Sequence, residues 1–108
     1  MTTDYRVAFT ASSGESIPTD AADRLRAALA AMPGAGGVAE TGQDRRRRRV
    51  TATFWIDVRL GMADAARDGS RLAKEALKVA GMGEAQLTEL SVRMEPRPAD
   101  LDGARPAT

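Results

Sequence analysis

Apolar and polar residues alternate along the chain in two different periods, and the changes of period mark out its elements. Tyr5, Val7 and Phe9 fall on one side and Arg6, Ala8 and Thr10 on the other, the period-two signature of a strand with one buried face. From about residue 20 the spacing becomes three and four: Ala21, Ala22, Leu25, Ala28, Leu29 and Met32 form one stripe, with Asp23, Arg24 and Arg26 away from it. This predicts an amphipathic helix. The turn-forming stretch ASSGESIPTD before it offers Ser16 and Thr19 as N-caps and Pro18 near the first turn, and MPGAGG stops it.

Residues 38–43 are short and weakly patterned and read as an edge strand. Alternation then returns in its clearest form. Val50, Ala52, Phe54, Ile56 and Val58 share one face of a strand, and Arg49, Thr51, Thr53, Trp55 and Asp57 share the other. Residues 62–80 read as a second helix, with Met62, Ala65, Gly69, Leu72 and Ala76 in its stripe and Gly81 and Gly83 after its end. Gly69 inside the stripe costs about 1 kcal/mol relative to alanine, a cost that close approach of the helix to a sheet would compensate. Residues 87–95 alternate again, with Leu90, Val92 and Met94 predicted inward and Glu89, Ser91, Arg93 and Glu95 outward. The remaining PRPADLDGARPAT carries three prolines and no apolar periodicity, which predicts one domain over residues 1–95 and a disordered tail over 96–108.

The order β-α-β-β-α-β resembles the ferredoxin-like superfold. It implies an α+β sandwich of four antiparallel strands in spatial order 4-1-3-2, with both helices on one face. Such a fold hosts many unrelated functions. The opposite face would carry Arg6, Ala8 and Thr10 beside Thr51, Thr53, Trp55 and Asp57, with Ser91 and Arg93 from the last strand.

Composition removes several chemistries. The 108 residues contain no cysteine and no histidine, so disulfides, thiolate chemistry and the usual neutral-pH general base are excluded. No catalytic group, metal site or cofactor is expected. Asp64 and Asp68 lie on one helical face but are interleaved with Arg67 and Arg71, the pattern of a charged outer surface. The first residues, MTTDYRVAF, lack a basic segment followed by a long apolar one, and no stretch reaches the ~20 apolar residues needed to span a bilayer, which predicts a cytoplasmic protein without membrane contact.

Three functional readings follow. Trp55 on the non-core side of a sheet calls for a cover, and self-association or docking on another protein through the face around it would supply one. Folding of Trp55 over an edge, or beneath the C-terminal tail, is the plainer alternative. The expected protein is then a small non-enzymatic assembly module, most simply a homodimer.

The second reading is nucleic-acid binding, to RNA or single-stranded DNA. Net charge is +1, yet Arg45, Arg46, Arg47, Arg48 and Arg49 concentrate positive charge at the turn between the second and third strands, leaving the rest of the chain net acidic. These arginines would contact phosphates and Trp55 would stack a base. The topology is similar to that of an RNA-recognition domain, but the third strand lacks that family's glycine, and Phe54 and Trp55, being adjacent, face opposite sides. A solvated hairpin tip accounts for the same arginines.

The third reading is a small-anion sensor in which Ser12, Ser13, Gly14 and Ser16 surround a ligand at a helix N-terminus, a position similar to the ligand loop of ACT-type regulatory domains.

Overall fold

The computed structural model describes residues 2–99. Six elements run in the order β1 (Thr3–Ser12), α1 (Ala21–Ala31), β2 (Val38–Asp44), β3 (Arg49–Val58), α2 (Met62–Val79) and β4 (Gln86–Met94). The strands form one antiparallel sheet in the order β2-β3-β1-β4, which is the expected 4-1-3-2 read from the other edge. The two strands with the strongest alternation are therefore the central pair. Their register sets Tyr5 opposite Ile56, Val7 opposite Phe54 and Phe9 opposite Ala52, so the apolar rows lie side by side. Phe9 and Phe54 meet edge to face, with ring centroids 6.2 Å apart.

Both helices pack on this apolar face and close one core, to which α1 contributes Leu25 and Leu29 and α2 contributes Leu72, Ala73, Ala76 and Leu77. Gly69 is where α2 approaches β1 most closely. A Cβ there would lie 3.0 Å from Val7 Cγ2 and 3.1 Å from Val7 Cγ1, which is the compensation for placing glycine in a helix. Gly69→Leu is accordingly expected to lower stability by about 1–3 kcal/mol through overpacking, read from the midpoint of urea unfolding.

Two features depart from the pattern-based expectation. The N-terminus of α1 is not capped by Ser16 or Thr19: the helix begins at Ala21, its N-cap Asp20 makes no side-chain capping bond, and the Ala22 N–H instead donates to Gln43 Oε1 at 2.7 Å. Gln43 Nε2 donates in turn to the Thr19 carbonyl at 2.8 Å, so β2 supplies the cap across the chain. Second, the inward row of β4 is only partly covered. Leu87 and Val92 pack against the core, but Leu90 is 39% exposed and Met94 66% exposed. The reason is position: β4 is the edge strand beside β1, with no further strand outside it among the described residues. A bulge opposite Thr10 and Ala11 also shifts its register, bringing Leu87 opposite Ala11 and Leu90 opposite Phe9.

Of the expected tail over 96–108, residues 100–108 lie outside the described residues, whereas Arg97 bonds back to Asp4 of β1. No described helix is long and apolar enough to cross a membrane.

Candidate interaction surface

The sheet face away from the helices is built from the outward positions of the alternating strands. Register places Arg6 beside Trp55, Ala8 beside Thr53 and Thr10 beside Thr51, with Arg93 and Ser91 flanking Arg6 and Ala8 on the other side. Asp57 lies at the end of this face, where it accepts a hydrogen bond from Thr2 Oγ1 at 3.2 Å. The nine residues expected on this face thus fall on three adjacent strands.

Trp55 itself is only 3% exposed. Its cover is the segment that follows β4. Trp55 Nε1 donates to the Glu95 carbonyl at 3.0 Å, and the Glu95 N–H donates to the Asp4 carbonyl at 3.2 Å, extending the β4–β1 ladder by one residue. The Glu95 carboxylate lies between two arginines that register forces together, 2.9 Å from Arg93 Nη2 and 3.8 Å from Arg6 Nε. Two like charges side by side are thereby neutralised by a residue that also satisfies the indole.

Beyond Pro96, the Arg97 N–H donates to Asp4 Oδ2 at 3.2 Å, and Arg97 Nη2 lies 3.6 Å from Asp4 Oδ1. Its guanidinium reaches Gly36, where any side chain would collide with it. Gly36 in turn donates to the Trp55 carbonyl at 2.6 Å, and Trp55 donates to the Gly37 carbonyl at 2.9 Å. The 95–97 segment is therefore a strap that runs from the β4 edge over Trp55 to the chain entering β2. Arg97 Nε is buried without a hydrogen-bond partner among the described residues.

The strap covers only one end of the face. At the other end lies a shallow groove of about 210 Å³, floored by Ala8, Thr10, Thr51, Thr53 and Ser91 and walled by Glu40 and Glu89. Its one aromatic lining residue, Phe9, belongs to the buried core, and its two walls carry negative charge. A polyanion laid along this half would meet like charge.

The arginine run forms the β2–β3 turn, as its position between two strands implies. Arg47 is tied to Asp44 by an N–H bond to Oδ1 at 3.1 Å and an ion pair at 3.9 Å. Arg48 adopts a left-handed conformation (φ 56°), and its Nη1 donates to the Gly14 carbonyl at 2.8 Å while its own carbonyl accepts from the Ser13 N–H at 2.9 Å. Arg45, Arg46 and Arg49 are exposed and take part in no ion pair among the described residues.

The Ser12–Ser16 loop is thus anchored to the hairpin. It lies well before the start of α1 at Ala21, whose Ala22 N–H is already occupied by Gln43. The Ser13 hydroxyl accepts the Glu15 N–H at 3.1 Å, and the adjacent depression is lined by Glu15 and Glu84 together with Ser12, Ser13, Gly14 and Gln86. Carboxylates at this position oppose an anionic ligand.

No group of three or more acidic residues among the described residues is placed to hold a metal ion. The expected strand order already made β4 terminal; what the pattern of residues did not reveal is that this edge presents Leu90 and Met94 to solvent. No protein-family model and no curated protein matches this chain.

Proposed function

We propose that the protein is a small non-enzymatic association module of ferredoxin-like fold, which joins a protein partner by strand addition at the β4 edge. The observation that carries this reading is the edge itself. Nine residues of β4 lie outermost in the sheet with exposed Leu90 and Met94 on their helix side. Natural edge strands are ordinarily blunted by shortness, proline, lysine, a bulge or a covering segment; β4 contains no proline or lysine, and its bulge lies towards its start, opposite Thr10 and Ala11, leaving Leu90–Met94 in regular register.

Beside it, a groove of about 700 Å³ between α2 and β4 is lined by Ala85, Leu87 and Leu90 together with the polar Ser70, Lys74, Lys78 and Gln86. An added strand would find hydrogen-bonding groups along the edge and a trough of mixed apolar and polar character for its side chains. Trp55, the large apolar side chain of the open face, is already covered by the strap, so the reading places the partner at the edge instead of over the indole. The absence of cysteine from the sequence accords with work in a reducing cytoplasm.

Photo-crosslinking in the native cells tests this reading. A photoreactive residue at Leu90 is expected to capture a protein, whereas one at Arg71, on the exposed side of α2, is not. No protein adduct at Leu90, or equal adducts at both positions, would contradict association through β4.

A second reading, polyanion contact at the hairpin, is favoured by the exposure of Arg45 and Arg46, which form no ion pair among the described residues. The Arg45→Ser, Arg46→Ser double variant should elute from heparin at clearly lower salt, since each arginine–sulfate pair removed lowers the salt dependence by about one ion. Its mass in solution should be unchanged. Unaltered heparin elution would show that the hairpin makes no such contact.

A further inference from the structure

We infer that the partner at the β4 edge is a second copy of this chain, paired antiparallel about Ser91 so that Glu89 of each copy faces Arg93 of the other. This rests on association through β4 and specifies its occupant and register.

The ladder between β1 and β4 determines which backbone groups are free. The Glu95 N–H bonds inward to the Asp4 carbonyl, and antiparallel ladders alternate. Arg93 and Ser91 therefore also direct their N–H and carbonyl groups towards β1, while those of Leu90, Val92 and Met94 point away from the sheet. A two-fold axis through Ser91 brings Leu90 opposite Val92 of the second copy, and the reverse, so each of these pairs exchanges both of its free bonds. Ser91 meets its own copy in the closely spaced, non-hydrogen-bonded position between them.

Side chains select this centre from its neighbours. About Ser91, the open face carries Glu89 against Arg93 twice, and the helix side carries Leu90 against Val92 twice. A centre at Glu89 or at Arg93 sets identical charges against each other. Moving the centre to Val92 sets Glu89 against Glu95, and moving it to Leu90 leaves Glu89 and Arg93 without charged partners across the interface. A strand that is complementary to its own reverse is what a symmetric dimer requires. Glu89, Ser91 and Arg93 are all exposed; Glu89 forms no ion pair among the described residues, and Arg93, which pairs within its own chain with Glu95, would be shared between that carboxylate and Glu89 of the second copy.

Because the chain has no cysteine, single replacements report the register without background. In the full chain under mild oxidation, Ser91→Cys is expected to form a disulfide-linked dimer. Glu89→Cys and Arg93→Cys should not link to themselves, because their copies stand about 14 Å apart along the strands. A mixture of those two variants should link to each other. Independently, Glu89→Arg is expected to weaken dimerisation about tenfold by sedimentation equilibrium, and addition of Arg93→Glu should recover most of the loss.

Self-linking at residue 89 or 93 in place of residue 91 would overturn the register. A monomer at all concentrations, with no linking at any of the three positions, would overturn pairing with a second copy. If the photo-adduct at Leu90 then proved to be a different protein, association through β4 would stand and only the identity of the partner would fall. Trp55 fluorescence, unchanged in each variant, verifies that the strap and the fold are intact.

Discussion

Trp55→Ala is expected to lower the free energy of unfolding by about 3–5 kcal/mol, the range for removing a large buried aromatic side chain. For a domain of this size the total is on the order of 5–10 kcal/mol, so the variant should be marginal at 37 °C. The loss has two parts. Removal of the indole leaves a void between β3 and the strap, and the Glu95 carbonyl loses its donor at Nε1. With its central anchor gone, the strap should open locally. The amides of Glu95 and Arg97, which bond to Asp4, should then exchange with solvent faster than global unfolding allows. Trp55→Phe should restore most of the buried area but not the hydrogen bond, and should fall between the two. If Trp55→Ala unfolded at the same urea concentration as the parent, the strap would not be part of the folded state in solution.

Phe54→Ala, one residue earlier, is expected to cost a similar ~3–5 kcal/mol but by a different route. Phe54 is fully buried on the helix side and meets Phe9 edge to face, so its removal opens a cavity in the main core. In the folded fraction the strap keeps all of its bonds. Glu95 and Arg97 amides should therefore remain protected up to the reduced global stability. The pair of variants distinguishes the two covered faces of one strand, since adjacent residues with equal cost should give opposite exchange behaviour at the strap. Early exchange at Glu95 in Phe54→Ala would mean that strap and core open as a unit.

Much of this architecture is readable from local pattern. The alternation in residues 5–10 and 50–58 identified the central strands and assigned Phe54 and Trp55 to opposite faces, because period two leaves no other choice for neighbours. Gly69 in a helical stripe pointed to a close approach, which Val7 provides. The parts that were not legible depend on contacts between distant residues. Gln43 caps α1 across more than twenty residues, and no local rule nominates a glutamine in a strand for that task. Leu90 and Met94 alternate correctly, but alternation gives the side of a sheet and says nothing of whether a helix extends far enough to cover it.

The strap was the least legible feature. Glu95 ends the alternating pattern and the residues from Pro96 on have no periodicity, and proline-rich composition ordinarily marks a segment that cannot build its own core. Its order comes from specific partners: the indole of Trp55, the Asp4 carboxylate and the space left by Gly36. A tryptophan on the outer face of the sheet thus finds its cover within its own chain. With Trp55 covered in this way, the exposed Leu90 and Met94 of the β4 edge are the apolar side chains of the sheet left facing solvent, which is why the proposal places a partner there.

The central proposal, association through β4, is tested most directly by the mass of the full chain in solution, measured by light scattering over a range of concentrations. Leu90→Pro is the informative variant. It removes an N–H that points away from the sheet, which an edge strand tolerates, and it blocks the addition of another strand. Leu90→Lys provides a second interruption that leaves the backbone unchanged. The parent is expected at twice the 11.4 kDa chain mass, and both variants at the single-chain mass with unchanged circular dichroism. A parent of single-chain mass at every concentration, or variants that retain the parent's doubled mass, would contradict the pairing of two copies through this edge.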